Sequence, residues 1–473
     1  MTVASAGPAT RPRRPADSAR RWRADVTRRW NRLHRAGAGL VGDLTVYGLS
    51  AAFAGITATT STLAPHRAWG TVATVGYGAA VLVVLSQLAF RRAAAIGPDV
   101  PVAGRGWLTG LTWTAVVAVP LLVQSAQRAG GRTDRAQEEV LVVEDGASRL
   151  LAHGTPYLSE QQITALPSDE QLLGYLPYQP GMVLFGMARA LAGVAWWTDA
   201  RVWFALATVV LGGTALVLLR AQVGVDGATL VRTVQLSAVL PISALTLSTG
   251  GNDLPVLALA LLGLTLCATG RYGAAGFAVG AAAALKLFAW PILVVVALHA
   301  AAKGQRELVK VAAAGVGLPL LALVPVAAVD HAALAHNVVG FPLGAGVVDT
   351  PAASPLPGHL IADWLPGGRF VAGTLLILVG LAIAVRLRHQ PPRTVAGAAT
   401  ICAAGLLVAT MLLPATRFGY LLYPIALFSW VPVLYDAGSS DAGSSNAGSS
   451  NGGSSTGQPG AAAGERAVTG GGP

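Results

Sequence analysis

Apolar residues in this chain gather into long blocks instead of alternating with polar ones. The blocks fall near residues 40–63, 70–90, 107–124, 198–219, 229–249, 253–270, 273–286, 287–301, 308–329, 369–387, 394–413 and 417–435. Many of them approach the roughly 20 residues that a helix needs to cross about 30 Å of hydrocarbon. They are rich in Leu, Ala, Val and Gly and show no period of two. Lipid offers backbone groups no hydrogen-bond partner, so the pattern predicts helices and not barrel strands. The expected fold is an all-α polytopic membrane protein with about twelve transmembrane helices. Two places are ambiguous. Residues 273–301 read either as one kinked helix or as two short ones meeting at Lys286. Residues 178–195, "YQPGMVLFGMARALAGVA", read as a juxtamembrane or re-entrant helix.

Composition agrees with a membrane solvent, since 53% of residues are hydrophobic and only 12% are charged. The formal charge of +11 raises the question of nucleic acid. Its placement answers it: residues 1–36 carry ten arginines against Asp17 and Asp25, directly before an apolar block. Such a segment reads as a cytosolic anchor to anionic lipid, and no nucleic-acid partner is expected. Three regions follow: a basic, disordered cytosolic tail over 1–37, a transmembrane domain over 38–435, and a flexible cytosolic Gly/Ser-rich tail over 436–473.

Counting spans from a cytosolic N-terminus places Arg91, Arg92, Arg105, Arg220, Arg232, Arg271, Lys303, Arg306, Lys310, Arg386, Arg388 and Arg393 on the cytosolic side. Most acids fall on the other side. Treating 178–195 as a full span would break this sorting. The count predicts a multi-pass cell-membrane protein with both termini cytoplasmic, and two long outer loops at 125–197 and 330–368. Long loops of this kind often carry function.

Polar groups at membrane depth or at its rim are costly and therefore informative. In "STGGND", residues 248–253, Asn252 and Asp253 are either ligand contacts or caps of the next helix. Lys286, alone among apolar neighbours in "AAALKLFAWP", either snorkels or holds an anion. Arg417 in "LPATRFGYLLYP" would complete a cationic clamp for a phosphate with Lys286, with Tyr420 and Tyr423 beyond it. The stretch "EEVLVVEDGASRLLAHGTPYL" carries four carboxylates. Its Val140, Val143, Ala147, Leu150 and Leu151 share a helical face, with Glu144 at the edge and Asp145 placed to cap a helix closing at Gly154.

In their order and shared outer face, "LLAHGTPY", "YLPYQPG", "GGNDLPVLAL", "AAALKLFAWP" and "PATRFGYLLYP" resemble the C-type membrane glycosyltransferases. The resemblance is greatest to glycosyltransferase family 87, the polyprenyl-phosphate-mannose-dependent mannosyltransferases of actinobacteria, and covers roughly residues 40–435. It implies an inverting enzyme that passes a sugar from a polyprenyl-phosphate donor to the hydroxyl of a glycolipid or glycan acceptor on the outer face. A carboxylate general base would lie in the first outer loop, with Glu144 and Glu139 ahead of Asp145 as candidates. Lys286 and Arg417 would stabilise the leaving phosphate. Asn252, Asp253, Tyr157, Tyr178, His336, Asn337 and Tyr420 would line the substrate sites, with His359 a further loop candidate. No Asp-x-Asp motif occurs in the loop, so neither an obligatory metal nor another cofactor is expected.

Two other classes fit part of the pattern. A multi-span transporter or lipid flippase would also carry intramembrane charges, but the two halves show no internal repeat and the charges gather at one face. A scaffold would leave Asp253, Lys286 and Arg417 at one level without a reason.

Overall fold

A computed structural model describes residues 36–97, 100 and 102–447, so the basic tail lies almost wholly outside the described residues. In chain order the helices are α1 (Leu40–Thr60), α2 (Ala64–Ala93) and α3 (Arg105–Ala129), then α4 (Glu138–His153) in the first loop. The next group is α5 (Ala200–Val223), α6 (Gly227–Val239), α7 (Pro241–Thr249), α8 (Asp253–Ala268), α9 (Tyr272–Leu285) and α10 (Leu287–Lys303). The last are α11 (Gln305–Leu343), α12 (Pro357–Trp364), α13 (Gly368–His389), α14 (Val395–Leu412) and α15 (Leu422–Ala447). Helix α15 runs past Tyr435, so the first Gly/Ser repeats continue a helix where a flexible tail was expected. The rest of that tail lies outside the described residues.

Every apolar block is helical, but the expected count of twelve full spans is not confirmed. Among the described residues, eight helices are long and apolar enough to cross a membrane, and α6 with α7 makes a ninth span bent by 48°. Helices α8, α9 and α10 are shorter. Their shortness follows from where they sit. Helix α8 is buried along almost its whole length, packed among α5, α9 and α15, which suits a helix apolar on every side. Between α9 and α10 the chain is extended at Lys286 (φ −153°, ψ 141°), so residues 273–301 form two short helices.

Close helix contacts rely on small residues, because apolar burial drives little association in lipid. A Cβ on Gly276 or Gly280 would strike the α11 backbone at Val311 or Ala314, so α9 and α11 touch backbone to backbone. At the end of the bundle where α1 begins, Asp43 pairs with Arg105 at 2.7 Å and with Arg232 at 2.9 Å, all three buried. This triad ties α1, α3 and α6 together.

Both loops differ from their expected outlines. Helix α11 continues through a kink at Asp330 (φ −154°, ψ 92°), so the second loop begins only after Leu343. In the first loop, α4 already begins at Glu138, which makes Asp145 a mid-helix residue and not a cap. Gly154 does close α4, at φ 74°, a conformation that glycine adopts without a Cβ clash. Residues 180–192 form a tight turn and a short helix tucked beneath α4, where Gly186 leaves no room for a Cβ against Val143 and Glu144.

Candidate active site

The first turn of α4 projects Glu139 toward the loop that precedes α15. Arg417 Nη1 donates to Glu139 Oε1 at 2.6 Å. The "STGGND" turn meets the same point from α7. Gln137 donates its backbone N–H to the Thr249 carbonyl at 3.0 Å, and Thr249 Oγ1 donates to Gln137 Oε1 at 3.0 Å. Gly250 passes close to both side chains: a Cβ there would stand 2.7 Å from Gln137 Oε1 and from Glu139 Oε2. Burial pushes the Glu139 carboxyl above the ordinary carboxylate range, and Arg417 and Lys286 pull it only part of the way back.

The break after α9 puts Lys286 on the other side of the same space. Its Nζ lies 2.5 Å from Asp253 Oδ1 and 3.4 Å from Asn252 Oδ1, and sits 5.0 Å above the Tyr178 ring and 5.5 Å from the Tyr420 ring. The ammonium group is thus held by one carboxylate and two aromatic faces. Asn252 occupies the N-cap position of α8 but makes no capping bond, and its Nδ2 has no hydrogen-bond partner among the described residues. Tyr423 donates to Asp253 Oδ1 at 2.7 Å.

Two cavities meet at the Glu139–Arg417 pair. One, of about 300 Å³, is lined by Glu139, Tyr178, Lys286, Phe288, Arg417 and Tyr420. The other, of about 940 Å³, shares Glu138, Glu139, Arg417 and Tyr420 with it. It continues between α1, α7 and α15 along Leu49, Phe53, Ile56, Leu245 and Ile425. Two ion pairs, Glu139 with Arg417 and Asp253 with Lys286, stand at the head of an apolar groove, an arrangement that suits an amphiphile with a charged head group.

The remaining sequence candidates lie elsewhere or act indirectly. Glu144 is 4% exposed and turned away from both cavities; it accepts from Arg128 at 2.8 and 2.6 Å and from the Ala200 N–H at 3.0 Å, with Arg189 at 3.1 Å. Asp145 is exposed on the far side of α4 and lines neither cavity. Tyr157 donates to the Tyr178 carbonyl at 2.7 Å, behind the cleft wall. His336 bonds Tyr175 at 3.1 Å, and Tyr175 in turn stacks on Phe341 and faces the cleft. Asn337 is fully buried, bonding the Leu176 N–H and the carbonyls of Leu158 and Ala333. His359 Nδ1 lies 3.0 Å from the Pro414 carbonyl, beside a third cavity of about 280 Å³ that adjoins the first along Pro342, Leu343, Thr350, Ala352 and Ala415.

Sequence reasoning missed Tyr175, Phe288 and Phe341 as cleft walls. It also missed Arg128, Asp199 and Arg201, which hold α4 in place. Asp199 and Arg201 stand at the start of an apolar block, a position that looks like an ordinary helix cap.

An all-α bundle that brings two acids and two cations together at the head of an apolar cleft has the form of a polytopic membrane enzyme. Residues 175–414 match the model of Glycosyltransferase family 87, half of the chain, and the protein belongs to that family. The chain is similar to the crystal structure of ArnT from Cupriavidus metallidurans in the apo state, at 16% identity and a TM-score of 0.42, over 70% of this chain and 60% of that one. It is similar also to the structure of ArnT from the same organism bound to undecaprenyl phosphate, at 17% identity and a TM-score of 0.43, over 73% and 64% of the two chains. The chain therefore spans 60% to 64% of the length of these proteins. No curated protein matches it.

Proposed function

We propose that the protein transfers a sugar, mannose in this reading, from a polyprenyl-phosphate donor to a hydroxyl of a glycolipid or glycan acceptor, with inversion at the anomeric carbon. The observation that carries the proposal is the 2.6 Å pairing of Glu139 with Arg417 in a cleft that also holds Lys286. Glu139 is the general base. It removes the acceptor hydroxyl proton as the oxygen attacks the anomeric carbon, and the bond from that carbon to the phosphate oxygen breaks on the opposite face. The polyprenyl phosphate leaves with the bonding electrons, and Lys286 and Arg417 stabilise the charge. Glu144 is a structural acid in this scheme, since its oxygens are already occupied by two arginines and a backbone N–H.

Both cations are engaged by carboxylates in the free protein, Lys286 by Asp253 and Arg417 by Glu139. The arriving phosphate competes for them and releases Glu139 to accept a proton, so the donor binds before the acceptor. The sorting of arginines and lysines along the chain supports cytoplasmic termini and a cleft on the outer face of the cell membrane.

The test is transfer of labelled mannose from polyprenyl-phosphate-mannose to membrane glycolipid and glycan fractions by the purified protein in lipid nanodiscs, with polyprenyl-phosphate-glucose as the competing donor. Transfer that depends on Glu139 supports the reading. Equal turnover by wild type and Glu139→Gln would overturn the assignment of the base, and a preference for glucose would overturn mannose.

A further inference from the structure

Glu139 and Asp253 reach the site from segments far apart in the chain, and one buried side chain touches the approach to each. Arg201, in the first turn of α5, has 0% exposure. Its Nη1 donates to the Arg135 carbonyl at 2.6 Å, four residues before Glu139, and to the Ser248 carbonyl at 3.3 Å, five residues before Asp253. Its other edge, Nε and Nη2, makes a bidentate pair with Asp199 at 2.8 and 2.7 Å. Asp199 also caps α5 at the Arg201 N–H and accepts from Arg128 at 3.1 Å, the arginine that grips Glu144 on α4. Burial alone would raise the Asp199 carboxyl, but Arg201 and Arg128 hold it at about 2, so it stays a carboxylate at neutral pH.

We propose that Arg201 is a positioning residue, a buried guanidinium that fixes the Glu139 segment and the "STGGND" turn in one register so that the base stands at its working distance from Arg417 and the reacting hydroxyl. This rests on the reading of Glu139 as the base. Planarity suits arginine to this role, because one edge is spent on Asp199 while an N–H of the other edge remains to bridge two carbonyls. A lysine offers a single point of charge and cannot satisfy both edges. Arg201 reaches no cleft surface, and Lys286, Tyr178 and Arg417 lie on segments it does not contact. Its loss therefore acts first on the two carboxylates, Glu139 and Asp253, and reaches the cations only through them.

The experiment compares Arg201→Lys and Arg201→Met with wild type in nanodiscs, measuring kcat, donor KM and the pH profile with polyprenyl-phosphate-mannose. Misplacing a catalytic group by about 1 Å costs on the order of 100-fold in rate, so kcat of Arg201→Met falls about 100-fold, and that of Arg201→Lys about tenfold. Donor KM changes less than kcat, because Arg201 contacts neither Lys286 nor Arg417 directly. Glu139 faces Arg417, Lys286, Asp253 and Glu138, with Tyr178 and Tyr420 on the cleft wall and His66 farther along the groove, and its carboxyl is raised chiefly by burial. A loosened Glu139 gains water, so the acid limb of the profile moves to lower pH in both variants. Should Arg201→Met fail to fold, Thr249→Val removes the hydroxyl that holds Gln137 and leaves every charge paired. It shows the same signature on a smaller scale. Wild-type kcat and an unmoved acid limb in Arg201→Lys and Thr249→Val would overturn the proposal, as would equal losses in kcat and folded fraction with the limb unmoved. If Glu139→Gln itself keeps full activity, the base assignment has failed instead.

Discussion

Arg417 Nη1 lies 2.6 Å from Glu139 Oε1, across a separation of 278 residues in the chain. The pair divides the two cavities, and in the proposed mechanism it has to open before the acid can take a proton. Replacing Glu139 by Gln keeps the shape and removes the base. Because a general base contributes about 100- to 10,000-fold, kcat of Glu139→Gln is expected to fall by that range. Binding of polyprenyl phosphate, followed by tryptophan fluorescence, should persist.

Glu144 is expected to behave in the opposite way. Breaking a buried ion pair by removing one partner costs about 3–5 kcal/mol, and Glu144→Gln leaves Arg128 short of its main partner. The melting temperature in detergent should drop well below that of wild type, while kcat of the protein that remains folded stays within about tenfold of it. Thermal unfolding and turnover measured on the same preparation separate the two acids.

The pH profile offers a third check. Glu139 is raised by burial, so its proton is bound more tightly than on an exposed carboxyl. The active, ionised form is lost as pH falls through this raised value. The acid limb of kcat/KM, which reports the free enzyme, is therefore expected above the ordinary glutamate value of about 4.3. The same shift carries a cost: a carboxyl raised on folding destabilises the protein above its unfolded value, and the penalty is relieved as pH falls. Glu139→Gln should then be at least as stable as wild type at neutral pH, measured by thermal unfolding.

Lys286 separates binding from chemistry. A charge-assisted hydrogen bond contributes about 1.5–3 kcal/mol, so Lys286→Met combined with Asp253→Asn, which removes both charges of the pair together, is expected to raise donor KM by roughly 10- to 100-fold. An unchanged donor KM in this double variant would remove Lys286 from the phosphate site.

At the opposite end of the bundle, Asp43 balances Arg105 and Arg232. Asp43→Asn leaves two buried guanidinium groups facing each other, and a loss of about 3–5 kcal/mol of stability is expected with donor KM unchanged. Unfolding in detergent, set beside donor saturation curves, checks both parts.

Much of this protein was written in the order of its residues. Long apolar blocks in a chain with 12% charged residues dictate helices in lipid, and each block is one. The rarity of charge inside such blocks singled out Asp253, Lys286 and Arg417, because an ion at membrane depth persists only with a partner. Their convergence with Glu139 was decided by the tertiary structure. Along α4, Glu139 and Glu144 are separated by about one and a half turns, and local sequence has no means of telling a cleft acid from a buried brace. The difference came from what packs against each: Arg417 and an open cavity on one side, Arg128, Arg189 and the start of α5 on the other. Span length was decided in the same way. Helices α9 and α10 are short because the chain opens between them at Lys286, which places an ammonium group beside Asp253. Hydrophobic pattern reports the solvent of each segment, whereas the partner of each charge depends on contacts between segments far apart in the chain.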